Sequence, residues 1–564
     1  MAAASSPRRA AAAAVAAAVL MTSLRRADSI PNGLGQKPGI GWNSDYCIGC
    51  IGLGGFQNED YIKHDIADFI HSSGLQELGY TYINMDASWD LATRDANGDL
   101  TPDPKLWPSG MKNTVDYVHG LGLGFGLYGD RGTLDCAKNP GQLGHETQDA
   151  QFFARNEVDW FKSDSCYATG NSSEAFSQYA TMRDALNATG RPIWFALCGW
   201  LPMYAPVGQT LGNSWRIGAD TGGGWGPVMS NVASALSLGQ FAGPRPGGGG
   251  WNDLSLLLLP GMGNGANLMS NERHRSQFNL HCIFAANMLM TGNMSAASPY
   301  VLSTWGNAEA VAVNQDEGYV PFVQLPHSVR LGESVYIQAH MAECGGEPAL
   351  QNWTFTQPGF PPSFVFNAAS DQCLNVEACA STIIYDGCVT SGGTCSGPGT
   401  FKNEQFELTA EGALVSLLEP AGTHCATVAA NLTLSLAPCS SPPGDDQTFF
   451  YIAATGELQS KGGLCLTAPG AGPPSNISSL LVGRAMRDGS WALLALNNAA
   501  ANATITCGAD CFAAMGFAAS DEVVVRDLYA HADVNTTLAG GGLDVLVGAS
   551  GASTFLRLRR SVAA

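Results

Sequence analysis

The alternation of short apolar runs with helical stretches constrains the fold of this chain more than any other feature. Apolar residues recur at three- and four-residue spacing from Ile62 to Ile70, and similar stripes occupy 174–187 and 228–238. Such helical stretches separated by β-like runs are typical of parallel βα units. The predicted strands are 40–42, 82–86, 125–128, 158–163, 193–197 and 214–217, followed by weaker signals near Phe241 and Leu289.

The number of βα units favours one α/β architecture. Roughly eight units within about 290 residues match the size of a (β/α)8 TIM barrel. A doubly wound sheet is the alternative, but no glycine-rich phosphate-binding loop follows the first strand. In a barrel the chemistry lies where the strands end and the loops begin. Candidate catalytic residues are therefore expected at the carboxyl ends of the strands.

The remainder of the chain has a different composition. Residues 363–466 hold seven of the 16 cysteines, and their short polar β-like segments show no helical periodicity. A weak repeat, whose closures start at Gln405 and Gln447, favours a β-trefoil-like insert. Residues 478–562 contain β-rich runs typical of an antiparallel sandwich. We expect a signal peptide at 1–27, a catalytic barrel at 28–325, a Cys-rich β-trefoil-like insert at 355–470 and an all-β C-terminal domain at 478–562.

The N-terminus has the features of a secretory signal. Arg8 and Arg9 precede an apolar stretch at 10–21, which is shorter than the ~20 residues needed to cross a bilayer. An alanine-rich transit peptide is the alternative. Eight glycosylation sequons support the secretory route, and with it a secreted or lysosome/vacuole-type location. The sequons lie at Asn171, Asn187, Asn293, Asn352, Asn431, Asn476, Asn502 and Asn535.

Two classes of partner are disfavoured by the composition. The net charge of −20 repels phosphate backbones, so nucleic acid is not expected as a partner. Beyond the N-terminal segment no uninterrupted apolar run is long enough for a membrane helix, so no membrane span is expected. A homodimer remains open because the sequence does not fix the oligomeric state.

The segment 158–166 carries the most informative chemistry. Lys162 and Asp164 are two residues apart at the end of a strand, so both side chains leave the strand on the same side. A nearby ammonium lowers the pKa of Asp164 and keeps it ionised, which suits a nucleophile. A second carboxylate, Asp220, follows another predicted strand. Two such carboxylates are what a retaining glycosidase requires, although a strand-end aspartate is also a common helix N-cap.

Seven ordered motifs extend this interpretation into a family resemblance. The motifs are Gly41-Trp42-Asn43-Ser44, Tyr82-Ile-Asn-Met-Asp86, Phe125-Gly-Leu-Tyr128-Gly-Asp130, Lys162-Ser-Asp164-Ser-Cys166, Trp215-Arg216 with Asp220, Gly250-Trp-Asn-Asp253 and Val313-Asn-Gln-Asp316. With these motifs in this order, the chain resembles the α-galactosidases (melibiases) of glycoside hydrolase family 27 over roughly 39–325 and, more loosely, over the last eighty residues.

The resemblance implies a fold, a reaction and a set of residue roles. It implies a (β/α)8 barrel followed by an antiparallel β-domain, and hydrolysis of terminal α-linked galactose from oligosaccharides or glycoconjugates by double displacement. Asp164 is implied as nucleophile and Asp220 as general acid/base. The implied pocket residues are Asp86, Tyr128, Lys162 and Arg216, with Trp42 below the sugar, and the implied disulfide joins Cys136 to Cys166. No cofactor and no metal are expected, because retaining chemistry needs two carboxylates and water.

The chain departs from the family pattern around the sugar. The family usually has two consecutive aspartates after the second strand, for the hydroxyls at positions 4 and 6, but here Ala87 follows Asp86. Gly199 offers no side chain near position 2, which suggests an α-N-acetylgalactosaminidase-like specificity as an alternative. Ser255 stands where a further aspartate is common, and Asp45 replaces an aromatic residue.

The insert also carries a resemblance. Residues 372–376 and the closure 405–407 resemble a ricin-type lectin repeat, with Phe406 where tryptophan is usual. The alternative is a disulfide-stapled β-insert that binds no ligand. A second hypothesis for the whole protein follows, in which a catalytically weak barrel accompanies a glycan-binding insert.

Overall fold

The structure is a computed structural model that describes most of the barrel and the C-terminal sheets. The described residues are 30, 32–45, 58–168, 172–238, 249–263, 267–326, 339–344, 351–355, 365–367, 372–376, 383–386, 405–417, 423–429, 434–467 and 477–561. The predicted signal peptide at 1–27 lies outside them. In these ranges no helix combines the length and the apolar character needed to cross a membrane.

A curled sheet of parallel strands forms the first part of the molecule. In the described ranges the sheet has eight strands in the order β7-β6-β5-β4-β3-β2-β1-β8. The ring closes beyond β7, where the Leu257 N–H donates to the Leu289 carbonyl at 2.9 Å and Leu257 pairs in parallel with Met290. The predicted TIM-barrel class is confirmed. The strands are β1 (Ile40–Asn43), β2 (Tyr82–Asn84), β3 (Gly124–Asp130), β4 (Trp160–Asp164), β5 (Trp194–Leu197), β6 (Ser214–Arg216), β7 (Trp251–Asp253) and β8 (Met288–Met290).

The six stronger strand predictions each coincide with one of β1 to β6. The weak signal near Phe241 falls outside the described residues, and the seventh strand is Trp251–Asp253. This strand is only three residues long and two of those residues are polar, so it has no apolar run to reveal it.

Helices cover the outside of the sheet. They are α1 (Tyr61–Ala67 as a π-helix, continued by Asp68–Ser72), α2 (Met111–Gly120), α3 (Glu146–Arg155), α4 (Ser172–Ala188), α5 (Gly208–Leu211), α6 (Trp225–Ser237), α7 (Asn271–Phe284), α8 (Pro299–Trp305) and α9 (Ala308–Asn314). Short 3-10 turns occupy Gln76–Leu78 and Pro202–Tyr204. The three predicted helical stripes fall on α1, α4 and α6. On α1 the stripe residues Ile62, Ile66 and Ile70 are fully buried.

The alternation of side chains along β4 separates the interior of the barrel from the helix layer. Trp160 stacks on Trp194 inside the barrel, with ring centroids 4.5 Å apart. Phe161 points the other way and packs on Phe153 of α3 at 4.5 Å. Because side chains alternate along a strand, Lys162 and Asp164 share the inward face with Trp160. The two polar residues therefore lie above a tryptophan layer, at the carboxyl end of the barrel.

An antiparallel sandwich packs against the barrel. Its larger sheet has the strand order β26-β25-β28-β23-β22-β9, and β24 pairs with β27. The strands are β9 (Val323–Gln324), β22 (Ser479–Ala485), β23 (Trp491–Asn497), β24 (Ala503–Cys507), β25 (Glu522–Asp527), β26 (Ala532–Leu538), β27 (Leu543–Val547) and β28 (Ala552–Arg560), and α10 (Ala509–Ala514) follows β24. Leu480 and Val482 join the core of the barrel, whereas Leu481 between them joins the core of the sandwich.

Three four-stranded antiparallel sheets lie between β9 and β22. Their orders in the described ranges are β10-β21-β20-β19, β11-β12-β13-β14 and β15-β16-β17-β18. The strands are β10 (His340–Glu343), β11 (Trp353–Thr354), β12 (Phe366–Asn367), β13 (Gln372–Val376), β14 (Ile383–Asp386), β15 (Phe406–Leu408), β16 (Leu414–Ser416), β17 (His424–Val428), β18 (Leu434–Pro438), β19 (Phe449–Ile452), β20 (Glu457–Ser460) and β21 (Leu464–Thr467). The predicted β-insert is thus present.

In the described part of the insert, one core and two disulfides join the strands. Phe406 and Phe449, which close the two sequence repeats, are both buried in the core that the three sheets share. Cys344–Cys465 ties the first strand of the insert to the last, and Cys425–Cys439 ties β17 to β18. The sequence repeat therefore corresponds to two side chains of one shared core, whereas the ricin-type resemblance stays a prediction.

Candidate active site

The carboxyl ends of β3 and β4 bring three of the predicted site residues together. Tyr128 lies opposite Lys162 in the strand register, and Asp130 lies opposite Asp164. The Tyr128 hydroxyl donates a hydrogen bond to Asp164 Oδ2 at 3.1 Å, and the Ser165 N–H donates to Asp164 Oδ1 at 2.9 Å. Both oxygens of the predicted nucleophile are therefore oriented.

Lys162 links the predicted nucleophile to β2. Its Nζ donates to Asp86 Oδ2 at 2.7 Å and lies 3.9 Å from Asp164 Oδ2, so the ammonium forms its closer ion pair with Asp86. The same ammonium stands 5.0 Å from the centre of the Tyr128 ring. Asp86 is fixed in turn, because its backbone N–H donates to the Ser44 hydroxyl at 2.8 Å.

The second predicted carboxylate lies beyond β6. Asp220 Oδ1 accepts a hydrogen bond from Arg216 Nη2 at 2.9 Å. The Asp220 side chain is 52% exposed, whereas the Arg216 side chain is 6% exposed. An exposed carboxylate at the rim has the access to solvent that a proton donor to a leaving group and an activator of water needs.

The electrostatics correct one sequence-based expectation. Burial, helped by the charges of Asp220 and Asp86 and opposed by Lys162, raises the pKa of Asp164 to about 6. We expected Lys162 to lower the pKa of Asp164 below its usual value. Lys162 does act in that direction, but the loss of water around Asp164 outweighs it. Burial alone would lower the pKa of Lys162, yet Asp86, Cys198, Asp164 and Asp45 together raise it well above its usual value.

Trp42 does not occupy the predicted position below the sugar. The side chain is fully buried and belongs to the core between sheet and helices, with its ring 6.4 Å from that of Tyr61 on α1. Its indole N–H donates to the Gly292 carbonyl at 2.8 Å. The cause is the alternation along β1: an added Cβ at Gly39 would meet the interior ring of Trp160, so Trp42, three residues later, faces outward.

Cys136 and Cys166 form a disulfide beside the predicted nucleophile. Asp130, to which we assigned no role from sequence, supports the same loops by accepting hydrogen bonds from the Cys166 N–H at 2.6 Å and the Gly132 N–H at 2.7 Å. Burial and the neighbouring Asp164 raise the pKa of Asp130 well above its usual value. Its place at the end of a predicted strand was the signal that could have identified it.

Cys198 is a second residue that the sequence did not reveal. It is a buried free cysteine that follows β5. Its side chain hydrogen-bonds Asp164, and Arg216 Nη1 lies 3.7 Å from its sulfur. Burial, with the charge of Asp164, raises the pKa of Cys198 well above its usual value, so it remains a thiol that donates to the carboxylate.

The space beside Gly199 is filled. A Cβ added at Gly199 would overlap the ring of Tyr204, which is itself 1% exposed. Tyr204 is held there by edge-to-face contacts with Phe176 and Tyr179, at centroid distances of 5.5 and 5.7 Å. The missing side chain at position 199 therefore leaves no widened cavity.

Ser255 supports the loop that carries Asp220. The Thr221 hydroxyl, next to Asp220, hydrogen-bonds to the Ser255 hydroxyl at 3.2 Å and to the Leu256 carbonyl at 3.0 Å. Ser255 also donates its backbone N–H to Asp253 Oδ1 at 2.7 Å. The residue that replaces a family aspartate thus holds the loop of the second carboxylate.

One group of side chains in the described ranges has the proximity of a metal site. The potential ligand atoms of Asp130, Cys136, Asp164 and Cys166 lie within 4.8 Å of one another. Because the two sulfurs are bonded to each other, they offer no thiolate. The group is therefore a disulfide flanked by two carboxyls.

Comparison with known proteins places the chain in a family. A family model described as "Alpha galactosidase A" matches residues 55–316. The probable α-galactosidase of Dictyostelium discoideum is 35% identical over 295 residues, which cover 52% of this chain and 72% of that protein. The chain belongs to the α-galactosidase family. The resemblance that the seven sequence motifs indicated is confirmed.

Other α-galactosidases match a comparable part of the chain. α-Galactosidase 3 of Arabidopsis thaliana is 39% identical over 299 residues, which cover 52% of this chain and 64% of that protein, slightly less than two thirds of its length. The solved structure of α-galactosidase I from Mortierella vinacea superposes with a TM-score of 0.60 at 21% identity, covering 94% of this chain and 99% of that chain. This likeness shows the fold.

Proposed function

We propose that this protein is a retaining glycoside hydrolase that removes terminal α-linked galactose from oligosaccharides or glycoconjugates. The observation that carries the proposal is the position of Asp164, which is buried among Tyr128, Lys162 and Cys198 and faces a mouth that Asp220 borders. An oriented, buried carboxylate with a second, accessible carboxylate across the pocket suits double displacement.

The two carboxylates divide the reaction between them. Asp164 attacks the anomeric carbon as the bond from that carbon to the leaving oxygen breaks, and Asp220 gives its proton to that oxygen. Asp220 then removes a proton from water, and the resulting oxygen nucleophile attacks the anomeric carbon and releases Asp164. Hydrogen bonds from Tyr128 and Ser165 hold the Asp164 carboxylate in one orientation, which spares reorganisation during attack.

The environment of position 2 favours galactosides over N-acetylgalactosaminides. The Tyr204 ring fills the space that the glycine at position 199 leaves open. Because the family resemblance places position 2 of the sugar beside residue 199, an acetamido group there would need that space. The α-N-acetylgalactosaminidase-like alternative therefore requires Tyr204 to move.

Hydrolysis of a panel of p-nitrophenyl glycosides at pH 5 and pH 7, with the α-galactoside as the expected substrate, tests the proposal. We expect release of nitrophenol from the galactoside and none after Asp164→Asn, because the amide cannot form the covalent intermediate. The panel includes the N-acetylgalactosaminide, the β-L-arabinopyranoside and the glucoside.

A matched variant separates chemistry from folding. Asp116→Asn makes the same chemical change on the exposed face of α2, where Asp116 pairs only with Lys112 among its described contacts, and should retain full activity. A folded wild-type protein that hydrolyses none of the glycosides contradicts the proposal. It would favour the second hypothesis, in which the barrel is catalytically weak and the insert binds glycan.

A secretory route and a division into domains complete the proposal. Among the predicted sequons, Asn293, Asn352, Asn502 and Asn535 are exposed and Asn187 is partly exposed, as glycosylation requires.

The proposed division is a signal at 1–27, a barrel at 28–325, an insert at 355–470 and a sandwich at 478–562. The pairing of β10 with β21 supports extending the insert back to His340. The pairing of β9 with β22 supports an insert that interrupts the sequence of the sandwich between these two neighbouring strands.

A further inference from the structure

The sugar-binding side of the pocket has lost one carboxylate and gained another. Ala87 stands where the family usually has its second aspartate, and Asp45 stands where the family usually has an aromatic residue. The two positions follow neighbouring strands, because β1 pairs with β2 in parallel and Asn43 lies opposite Asn84. The replacements are therefore adjacent in the fold although they are 42 residues apart in sequence.

Asp45 follows the carboxyl end of β1 by two residues. Gly39 faces the Trp160 ring inside the barrel, and the alternation along the strand puts Asn43, the last residue of β1, on the same interior side. The Asp45 backbone is fixed at both ends: its N–H donates to Asn43 Oδ1 at 2.8 Å, and its carbonyl accepts from the Thr291 hydroxyl. A partly exposed side chain on a fixed backbone can present a carboxylate to a ligand at little entropic cost.

The charge of Asp45 acts on the residue that organises the pocket. Asp45 is one of the carboxylates that raise the pKa of Lys162, together with Asp86 and Asp164. Ser44, its neighbour in sequence, accepts the hydrogen bond from the Asp86 N–H. Asp45 thus belongs to the same cluster as Asp86, the remaining family aspartate for the hydroxyls at positions 4 and 6.

We propose that Asp45 takes the place of the missing carboxylate at Ala87 and accepts a hydrogen bond from the galactose hydroxyl at position 4 or position 6. The inference deepens the proposed function, on which it rests. Ala87 is buried, so a carboxylate at that position would be enclosed, whereas Asp45 is partly exposed and follows the adjacent strand. The chain would then keep two carboxylates at this end of the sugar.

Calorimetric binding of free galactose to the full chain tests the inference without requiring turnover. Asp45→Asn keeps the size of the side chain and removes its charge, and we expect galactose affinity to fall by about ten- to a hundredfold. Asp116→Asn is the matched control, with unchanged affinity expected. Thermal melting of each variant verifies that it folds.

Deoxy sugars distinguish a direct contact from a general change in charge. If Asp45 accepts from one hydroxyl, Asp45→Asn should cost much less affinity for the sugar that lacks that hydroxyl, 4-deoxygalactose or 6-deoxygalactose. An equal loss for galactose and both deoxy sugars overturns the inference, and so does an unchanged galactose affinity. In the Asp45→Asn background, Ala87→Asp should recover part of the lost affinity.

Hydrolysis measured in parallel separates this inference from the proposed function. An active wild type with an Asp45→Asn variant that binds galactose normally overturns the inference alone. A wild type that binds galactose through Asp45 but hydrolyses no glycoside overturns the proposed function alone. A folded wild type that does not bind galactose overturns both.

Discussion

The two sides of the barrel mouth differ in how closely they follow the family pattern. The proposed catalytic side comprises Tyr128, Lys162, Asp164, Arg216 and Asp220, and each of these residues lies in one of the motifs that carry the family resemblance. The proposed recognition side comprises Asp45, Asp86, Ala87, Gly199 and Tyr204. On that side an aspartate is lost, an aspartate replaces an aromatic residue, and a tyrosine fills the space beside a glycine.

This difference reflects what each side must do. A nucleophile has to meet one carbon along one direction, so its carboxylate cannot move to another strand without losing the reaction geometry. A hydroxyl of the sugar can accept or donate hydrogen bonds from several directions, so a group on a neighbouring strand can replace one that is lost. We therefore expect the proposed catalytic side to keep its residues, and the proposed recognition side to keep only its chemistry.

Apart from loss of the carboxylate at Asp164, the largest change that we expect comes from removing the ammonium of Lys162, which joins the two sides. Lys162→Met leaves Asp86 without its 2.7 Å ion pair and Asp164 without the cation that opposes its rise in pKa. We expect kcat/KM on the galactoside to fall on the order of a hundredfold. The acid limb of the pH profile should also move to higher pH.

Lys112→Met serves as the comparison for this variant, because Lys112 is partly exposed on α2 and pairs with Asp116 and Glu157. It should leave both kcat/KM and the pH profile unchanged. An acid limb that stays in place in Lys162→Met would show that Lys162 does not act on the nucleophile.

The pH profile of the wild type is expected to show the next largest effect. The attacking form of Asp164 is the carboxylate, whose pKa burial raises to about 6. In the free enzyme kcat/KM should therefore fall about tenfold for each unit of pH below 6. The measurement is kcat/KM on the galactoside from pH 4 to pH 8, and a flat profile between pH 4 and pH 6 would contradict the assignment.

Stability should respond to pH in the opposite direction. Because the pKa of Asp164 is raised in the folded protein, the folded protein binds this proton more tightly than the unfolded chain. The contribution of Asp164 to stability is then present near pH 4 and is lost as the pH rises through about 6. Asp164→Asn should melt at a higher temperature than the wild type at pH 7, and the difference should shrink at pH 4.

The smallest expected change concerns the choice of sugar. Tyr204→Ala opens the space beside Gly199, and we expect the ratio of N-acetylgalactosaminide to galactoside hydrolysis to rise about tenfold. Tyr204→Phe keeps the ring in place and should leave this ratio unchanged. A ratio that Tyr204→Ala does not alter would place the acetamido site elsewhere.

The insert shows which contacts a local sequence pattern can predict and which it cannot. The repeated closures at Phe406 and Phe449 were readable because both side chains belong to one core, and a shared core imposes a shared pattern. The disulfide between Cys344 and Cys465 was not readable, because the two ends of the insert meet only when β10 pairs with β21. Spacing in the sequence carries no trace of that contact.

The sequence by itself determined the barrel and was enough to propose the catalytic pair. Alternating short strands and helical stripes follow from local burial, and the spacing of Lys162 and Asp164 follows from the two-residue period of a strand, so neither depends on distant residues. The tertiary structure alone decided that Trp42 faces the helices, that Tyr204 fills the space beside Gly199, and that burial outweighs Lys162 at Asp164. These outcomes depend on which distant segments pack together and exclude water, and packing of that kind leaves no periodic signal in the chain.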